Sequence, residues 1–328
     1  MTKYHVVGIG NAVVDIISQA DDSFLSRMDI EKGVMQLIDE DRCAFLYDNM
    51  ENRTQMAGGS VANTIAGIGA LGLDTAFIGR VSDDEAGRDY IAGMKESGTA
   101  FINDPVTNGE LPTSRSMIFV SPDGERSMNT YLGISTELST DDVDHAVAAA
   151  TQLLFLEGYL YDKDKGKEAL LSAARTCRKA GGKAGITLSD PFCVDRHRAD
   201  FRKIARELDV VIGNEHEWRS LYETDDLGAA LEAAASESKL IVCTRSGHDV
   251  VIVEGDDTIT VPVHEVPPID TTGAGDQFAA GFIYGLATGV SLEIAGRMGC
   301  VAAAEVIGHY GARPESDVMQ AFKDHGLV

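Results

Sequence analysis

The stretch Leu153-Leu154-Phe155-Leu156 begins the part of the sequence that decides the fold. It is a short apolar run, and after it apolar runs alternate with longer helical patterns as far as Thr244. Such alternation predicts a parallel sheet with helices on both faces. The predicted segments are a strand at 153–156, a helix ending at Ala180, a strand at 184–188, a helix at 199–207, a strand at 210–212, helices within 215–236 and a strand at 240–244.

Two segments lie outside this alternation and predict a second, smaller sheet. Residues 15–54 are mixed and charged, with short strand-like pieces and one helix predicted at 22–28. Residues 103–135 contain a predicted hairpin around the turn Ser121-Pro122-Asp123-Gly124. We therefore predict an α/β core formed by residues 1–14, 55–102 and 136–328, and a small discontinuous β lid formed by residues 15–54 and 103–135.

The composition is that of a globular protein with a strong negative charge. Of the 328 residues, 44% are apolar and 24% are charged, and there are 34 glycines and 8 prolines, which excludes collagen-like, coiled-coil and disordered chains. Lys and Arg number 28 against 52 Asp and Glu, so the net charge is −24. That charge repels nucleic acid and anionic membrane surfaces, and we expect neither as a partner.

The cysteines and the N-terminus indicate the compartment. The 5 cysteines are spread along the chain without a C-x-x-C pair, which is typical of reduced structural thiols. The sequence begins with a strand-like run and shows neither a signal peptide nor the roughly 18 consecutive apolar residues of a membrane span. We therefore expect a cytoplasmic protein.

The segment Asp270-Thr271-Thr272-Gly273-Ala274-Gly275-Asp276 leads directly into an apolar helix. Its small residues allow backbone N–H groups at a helix N-terminus to converge on an anion. Asp276 would repel a phosphate, but it suits a base that faces a hydroxyl nucleophile. The alternative is an ordinary Gly-rich turn in which Asp276 caps the helix, and the spacing alone does not separate the two.

Two further polar segments suit a sugar-like ligand. The paired glycines of Gly58-Gly59-Ser60 precede a helix and allow close approach of a ligand, and Asn63 offers both a donor and an acceptor. The alternative is a helix capped by Ser60. Asn11 and Asp15 follow a short apolar run at 4–10 that is predicted to be a strand. They suit adjacent hydroxyls, with an ordinary Asn/Asp turn as the alternative.

Together these segments resemble the PfkB, or ribokinase-like, carbohydrate kinase family. The chain is most similar to the adenosine kinase branch of that family. The matching segments are Gly58-Gly59-Ser60-x-x-Asn63 with Gly79, Asp270-Thr-x-Gly-Ala-Gly-Asp276, Asn214-x-x-Glu217, Thr244-x-x-Gly247, and for the branch residues 8–16, 188–192 and 308–315.

The resemblance implies a ribokinase-like three-layer core with a small β lid. It also implies transfer of the γ-phosphate of ATP to the 5′-hydroxyl of adenosine, giving AMP. The alternative is a PfkB-type kinase of ribose, fructose or another small sugar or sugar acid. A hydroxymethylpyrimidine-type kinase shares the core but usually lacks the lid, and a non-enzymatic sensor would not need Asp276. The implied partners are ATP and a small-molecule substrate, and the implied assembly is a monomer or a homodimer.

The resemblance further implies a role for each site residue. Asp276 is the expected base, and Arg126 is the expected phosphate-binding arginine, with a solvated turn residue as its alternative. Glu217 has an exposed helix residue as its alternative. Expected in the anion hole are Gly273, Ala274 and Gly275; around the substrate Asn11, Asp15, Gly58, Gly59 and Asn63; and around ATP Asn214, Glu217, Thr244, Gly247 and Thr272. Mg²⁺ is expected through water at Asn214 and Glu217, and the family pattern allows K⁺ near Asp270 and Thr272.

Overall fold

The structure, a computed structural model, describes residues 3–328. The strands are β1 (Tyr4–Ile9), β2 (Val13–Gln19), β3 (Met35–Leu37), β4 (Thr54–Gly58), β5 (Thr75–Ile78), β6 (Thr99–Phe101), β7 (Ser114–Val120), β8 (Arg126–Tyr131), β9 (Thr151–Glu157), β10 (Lys183–Thr187), β11 (Val210–Asn214), β12 (Leu240–Arg245), β13 (His248–Glu254) and β14 (Asp257–Val261). The helices are α1 (Asp22–Arg27), α2 (Glu40–Asn49), α3 (Ser60–Ala70), α4 (Glu85–Glu96), α5 (His145–Ala149), α6 (Asp164–Lys179), α7 (Pro191–Glu207), α8 (Glu215–Tyr222), α9 (Leu227–Glu237), α10 (Ala274–Thr288), α11 (Leu292–Val306) and α12 (Val318–Asp324).

The larger sheet has the strand order β14-β13-β12-β11-β10-β9-β1-β5-β6. The strands from β12 to β6 run parallel, whereas β13 and β14 are antiparallel. The alternation predicted between Leu153 and Thr244 is confirmed as β9 to β12 with their intervening helices. Because the carboxyl ends of the parallel strands meet at one edge, the residues that follow β1, β9, β11 and β12 share that edge.

Helices cover both faces of this sheet. Successive strand residues alternate between two apolar clusters: Val6 and Phe155 pack with α3, α4, α10 and α11, whereas Val7 and Leu154 pack with helices α5 to α9. This alternation is the period-2 pattern of a strand that is buried on both faces. The predicted three-layer α/β core is therefore confirmed. Within residues 3–328 no helix is long and apolar enough to cross a membrane.

The smaller sheet has the order β3-β8-β7-β2-β4 and is built around the predicted hairpin β7–β8. Its bounds differ from the predicted lid segments. β2 starts at Val13 and pairs with β4 from Val13–Gly58 to Ile17–Thr54, so residues 13–14 and 55–58 belong to this sheet and not to the core. Helix α2, which was not predicted, covers its back face with Cys43 and Leu46.

Asn129 is an unpaired amide inside this smaller sheet. It lies opposite Met117 in the β7–β8 ladder and is 1% exposed, and neither its Oδ1 nor its Nδ2 has a hydrogen-bond partner. A buried amide without partners costs about 1–3 kcal/mol. We expect Asn129→Leu to raise the free energy of unfolding by that amount, measured as an increase in the urea midpoint.

Thr130→Val is the matched control for that substitution. Thr130 is the next residue of the same strand, but its hydroxyl is bonded to the Ser116 hydroxyl at 2.8 Å. Removing a partnered hydroxyl should lower the urea midpoint, because Ser116 is left unpaired. A fall of the midpoint in Asn129→Leu would show that the Asn129 amide is satisfied in solution.

Candidate active site

The site lies where the chain passes from the larger sheet to the smaller one. β1 ends at Ile9 and β2 begins at Val13, so Asn11 occupies the connection. Ile9 pairs with Leu156 of β9, and the next residue of β9, Glu157, lies beside Asn11. This junction brings the predicted Asn11 next to a carboxylate that was not predicted.

Glu157 organises that junction. One carboxylate oxygen accepts hydrogen bonds from the Asn11 backbone N–H at 3.1 Å and from Asn11 Nδ2 at 2.6 Å, and the other accepts from the Val61 N–H at 3.1 Å. Burial raises the pKa of Glu157 to about 7, although these donors oppose the shift. The only sequence signal was an acidic residue that directly follows the apolar run at 153–156.

Asp276 projects from the first turn of α10 towards α3. Its Oδ1 accepts from the Ser60 hydroxyl at 2.7 Å, and its Oδ2 accepts from Asn63 Nδ2 at 3.1 Å. The N-cap of α10 is Gly273, and no side chain caps the helix, so the alternative in which Asp276 is a cap is wrong. Burial raises the pKa of Asp276 to about 6, while Ser60 and Asn63 lower it.

The backbone that precedes Asp276 presents free amides. Gly273 has φ +76°, and a Cβ on it would lie 2.6 Å from the Ala312 Cα, so both the conformation and the space require glycine. The Ala274 N–H donates to the Thr271 carbonyl at 3.2 Å. Within the described residues the N–H groups of Gly275 and Asp276 have no acceptor. They are first-turn donors of a helix, which favour an anion.

Asp15 is the unpartnered carboxylate of the site. It lies on β2 directly over Gly58, where an added Cβ would come within 2.1 Å of Oδ2. Among residues 3–328 nothing donates a hydrogen bond to this carboxylate. Burial raises its pKa to about 7, whereas the charges of Arg313 and Arg126 lower it. A carboxylate held in this way can accept hydrogen bonds from substrate hydroxyls.

The chain itself also requires glycine at the two positions that were predicted to admit the substrate. Gly58 makes room for the Asp15 carboxylate, and Gly59 has φ +96°, with the Asn11 carbonyl oxygen 2.3 Å from the position of an added Cβ. Glycine is therefore needed at 58 and 59 to bring β2 and the start of α3 together.

The free energy of unfolding should depend on pH, because burial makes the Asp15 carboxyl costly to ionise in the folded state. The folded pKa is about 7 against 3.8 for the free side chain, so the folded state binds more protons than the unfolded state between those values. Stability is therefore lost as the pH rises from about 4 to 7. We expect Asp15→Asn to match wild type near pH 4 and to be more stable by on the order of 2–4 kcal/mol at pH 8.

Thermal unfolding at pH 4, 6 and 8 measures this difference. Asp41→Asn is the control, because Asp41 is an exposed carboxylate in the first turn of α2. A constant difference between Asp15→Asn and wild type at all three pH values would show that Asp15 ionises freely in the folded protein.

Arg126 connects the smaller sheet to the Asp270 segment. Its guanidinium forms a buried ion pair with Asp270, and its side chain is 7% exposed, so the solvated-turn alternative is wrong. Burial lowers the pKa of Arg126 to about 10. The Asp270 carboxylate also accepts from the N–H groups of Thr272 at 3.0 Å and Gly311 at 2.9 Å. The Asp270 carboxylate is therefore fully engaged by a guanidinium and two amides, and K⁺ near Asp270 and Thr272 stays a prediction that relies on backbone carbonyl oxygens.

The residues predicted around ATP lie further along the same sheet edge. Asn214 and Thr244 are paired residues near the ends of β11 and β12. Glu217 accepts from the Asn214 N–H at 2.8 Å and from Asn214 Nδ2 at 2.7 Å, and it is 4% exposed, so the exposed-helix alternative is wrong. Burial raises the pKa of Glu217 to about 7. This pair does not contact Asp276; Tyr159 lies near both carboxylates.

Two glycines leave the backbone open beside these residues and beside Asp276. In residues 3–328, Gly247 and Gly275 are the glycines that have neither a positive φ nor any atom within 4 Å of an added Cβ. Nothing in the chain therefore requires glycine at either position, and the open backbone there allows close approach of a ligand. The buried Nε of Arg245, next to Thr244, has no partner and supplies positive charge at the same strand end.

The donor set fits magnesium only through water. Both oxygens of Glu217 are engaged by Asn214, and the described part of the chain has no group of three or more His, Cys, Asp or Glu side chains that would hold a metal directly. Mg²⁺ commonly keeps several waters and binds phosphate oxygens, so Asn214 and Glu217 are suited to its outer sphere. When bound, the ion would neutralise charge on the phosphates.

Comparison with known proteins agrees with this geometry. Residues 42–318 match the family model described as pfkB family carbohydrate kinase. The chain belongs to this family. Its members are ATP-dependent phosphotransferases that act on hydroxyl groups of sugars or nucleosides, so the predicted family and enzyme class are confirmed.

Two solved structures and one sequence relative are similar over most of the chain. A probable sugar kinase from Rhizobium etli is 42% identical with a TM-score of 0.94 and covers 100% of both chains. An adenosine kinase from Sinorhizobium meliloti is 43% identical with a TM-score of 0.93, covering 98% of this chain and 99% of that one. An uncharacterized sugar kinase from Archaeoglobus fulgidus is 30% identical over 75% of this chain and 96% of its own.

Proposed function

We propose that this pfkB family kinase phosphorylates the 5′-hydroxyl of adenosine with ATP, giving AMP and ADP. The observation that carries the proposal is Asp276, a buried carboxylate held by Ser60 and Asn63 directly beside free amides of the same helix turn. In the proposed reaction Asp276 takes the proton of the hydroxyl, the oxygen bonds to the γ-phosphorus, and the bond from that phosphorus to the β-phosphate oxygen breaks.

The surrounding residues contact the transferred phosphoryl group, the ribose and the nucleotide. The amides of Gly275 and Asp276 face charge that develops on the transferred phosphoryl group. Asp15 accepts hydrogen bonds from ribose hydroxyls, and Asn11, whose Nδ2 is held by Glu157, presents its carbonyl oxygen. Gly247, Thr244 and the Asn214–Glu217 pair line the nucleotide side of the sheet edge. Arg126 supplies positive charge from the smaller sheet, next to Asp15 and Asp270.

Adenosine is favoured over a simple sugar by the likeness to the Sinorhizobium enzyme, which extends over 98% of this chain at 43% identity. A sugar or sugar-acid kinase is the second candidate, because the Rhizobium etli relative of nearly equal similarity is described as a probable sugar kinase. A panel with ATP and Mg²⁺ separates the two, comparing kcat/KM for adenosine, inosine, ribose, fructose and 2-keto-3-deoxygluconate. Faster turnover of any sugar than of adenosine would replace the nucleoside assignment and leave the kinase assignment unchanged.

The smaller sheet is proposed to act as a lid that closes over the substrate and excludes water from the phosphoryl transfer. Hydrogen exchange should then slow within residues 15–54 and 103–135 when adenosine and a non-hydrolysable ATP analogue bind. Helix α9, on the other side of the larger sheet, is the internal control and should not change. Equal exchange of the lid segments with and without ligands would contradict closure.

A further inference from the structure

Arg313 is a partly buried arginine that has no carboxylate in ion-pair contact within the described part of the chain. Its guanidinium instead donates to three uncharged groups: Nε to Asn63 Oδ1 at 3.3 Å, Nη1 to the Gly93 carbonyl at 3.3 Å and Nη2 to the Met94 sulfur at 3.1 Å. Contacts at all three nitrogens fix the plane of the guanidinium.

The loop that carries Arg313 is anchored to the Asp270–Gln277 segment. The Gly311 N–H donates to Asp270, the Ala312 backbone fills the space left by Gly273, and Gln277 Nε2 donates to the Ala312 carbonyl at 3.0 Å. The same Gln277 nitrogen donates to the Asn63 carbonyl at 3.1 Å. The position of Arg313 is therefore tied to α10 on one side and to α3 on the other.

Asn63 lies between Arg313 and the proposed base. Its Oδ1 accepts from Arg313, and its Nδ2 donates to Asp276. Because a side-chain amide has its acceptor on one end and its donors on the other, a donor on Oδ1 determines which end faces Asp276. If the amide turned over, its oxygen would face the carboxylate and the hydrogen bond to Asp276 would be lost.

Arg313 is also close enough to act on Asp15 through its charge, because its loop packs on β4. Gly311 lies against Met56, the residue that pairs with Asp15 in the β2–β4 ladder. Four charged or titratable groups face Asp15: Arg126 at the start of β8, Arg313 in the loop after α11, Asp276 on α10 and the Tyr90 phenol on α4. Of these groups, Arg313 most strongly opposes the rise in the Asp15 pKa that burial causes.

We propose that Arg313 is a positioning residue with two separate effects, fixing the Asn63 amide against Asp276 and keeping Asp15 charged for substrate hydroxyls. The first effect depends on the shape of the guanidinium, and the second depends only on its charge. The proposal rests on the proposed function, since both partners are assigned there.

Arg313→Lys and Arg313→Met separate the two effects. In Arg313→Met we expect kcat to fall about 10- to 100-fold, because the charged hydrogen bond from Arg313 to Asn63 is lost. We also expect the acid limb of the pH profile of kcat/KM to move to higher pH. In Arg313→Lys the pKa of Asp15 should return towards wild type because the charge is restored, while kcat stays low because a lysine does not reproduce the fork. Arg297→Met, which removes an exposed charge on α11, is the control and should leave both kcat and the acid limb unchanged.

Thermal unfolding establishes first that each variant is folded. If Arg313→Met does not fold, Arg313→Lys alone decides, because a low kcat with a wild-type Asp15 pKa supports the two separate effects, and a wild-type kcat overturns the first. Wild-type kcat and an unmoved acid limb in folded Arg313→Met would overturn the proposal. If the preferred acceptor is a sugar, the same comparison uses that sugar.

A second readout does not depend on activity. The pKa of the Asp15 carboxyl, followed by the carboxyl carbon shift in selectively labelled protein and assigned with Asp15→Asn, should rise in Arg313→Met and not in Arg297→Met. Should wild type phosphorylate none of the acceptors, the proposed function fails while this titration still decides the effect of Arg313 on Asp15. An unchanged Asp15 pKa would overturn that effect.

Discussion

Asp276→Asn is expected to lower kcat by about 10²–10⁴-fold, which is the usual contribution of general base catalysis. The substitution keeps the shape of the side chain, and the carbonyl oxygen of the new amide would still accept from the Ser60 hydroxyl. It removes the group that takes the substrate proton. Because Asp276 is bonded to α3 and not to the residues around Gly247, the Kd for ATP should change little.

The measurement is steady-state kcat with the preferred acceptor, together with the Kd for ATP by calorimetry. Glu293→Gln is the control, because Glu293 is likewise an acidic residue in the first turn of a helix, α11, but is exposed. Turnover near the wild-type value in Asp276→Asn would remove Asp276 from the chemistry. A loss of ATP binding with unchanged kcat would assign it to the nucleotide instead.

The fold was predictable where local pattern and burial agree. The strands predicted at 210–212 and 240–244 are found as Val210–Asn214 and Leu240–Arg245, and the turn predicted at 121–124 joins β7 to β8. Helix α2 was not predicted because it is mostly polar, and its buried side chains Cys43 and Leu46 have meaning only against the smaller sheet. Its helical state follows from tertiary packing, which no local window of sequence contains.

The site was predictable only in part, for a related reason. Asn63 and Asp276 were predicted because each belongs to a recognisable segment, but their contact joins residues 213 positions apart. Glu157 and Arg313 were missed because each acts through such distant contacts, 146 positions to Asn11 and 250 to Asn63. A single acidic residue after a strand, or a single arginine in a loop, carries no local signal of that role.

Asp15→Ala is expected to abolish discrimination between adenosine and 2′-deoxyadenosine. In the structure the Asp15 carboxylate is buried, has no donor within the described residues and is kept partly charged by Arg313 and Arg126. A substrate hydroxyl removes the cost of that arrangement, whereas a deoxyribose leaves the carboxylate unpaired. Sites built to bond a hydroxyl reject an analogue that lacks it by as much as ~10⁴-fold.

The comparison of four rates tests this argument. Wild type should favour adenosine over 2′-deoxyadenosine in kcat/KM, and Asp15→Ala should lower the value for adenosine far more than the value for the deoxynucleoside, so that their ratio approaches one. Ser116→Ala is the control, because Ser116 pairs with Asp15 in the β2–β7 ladder, but its hydroxyl is bonded to Thr130. An equal loss for both nucleosides in Asp15→Ala would mean that Asp15 supports the site without contacting the 2′-hydroxyl. Since the same carboxylate lowers stability at pH 8, its retention is best explained by the binding that it provides.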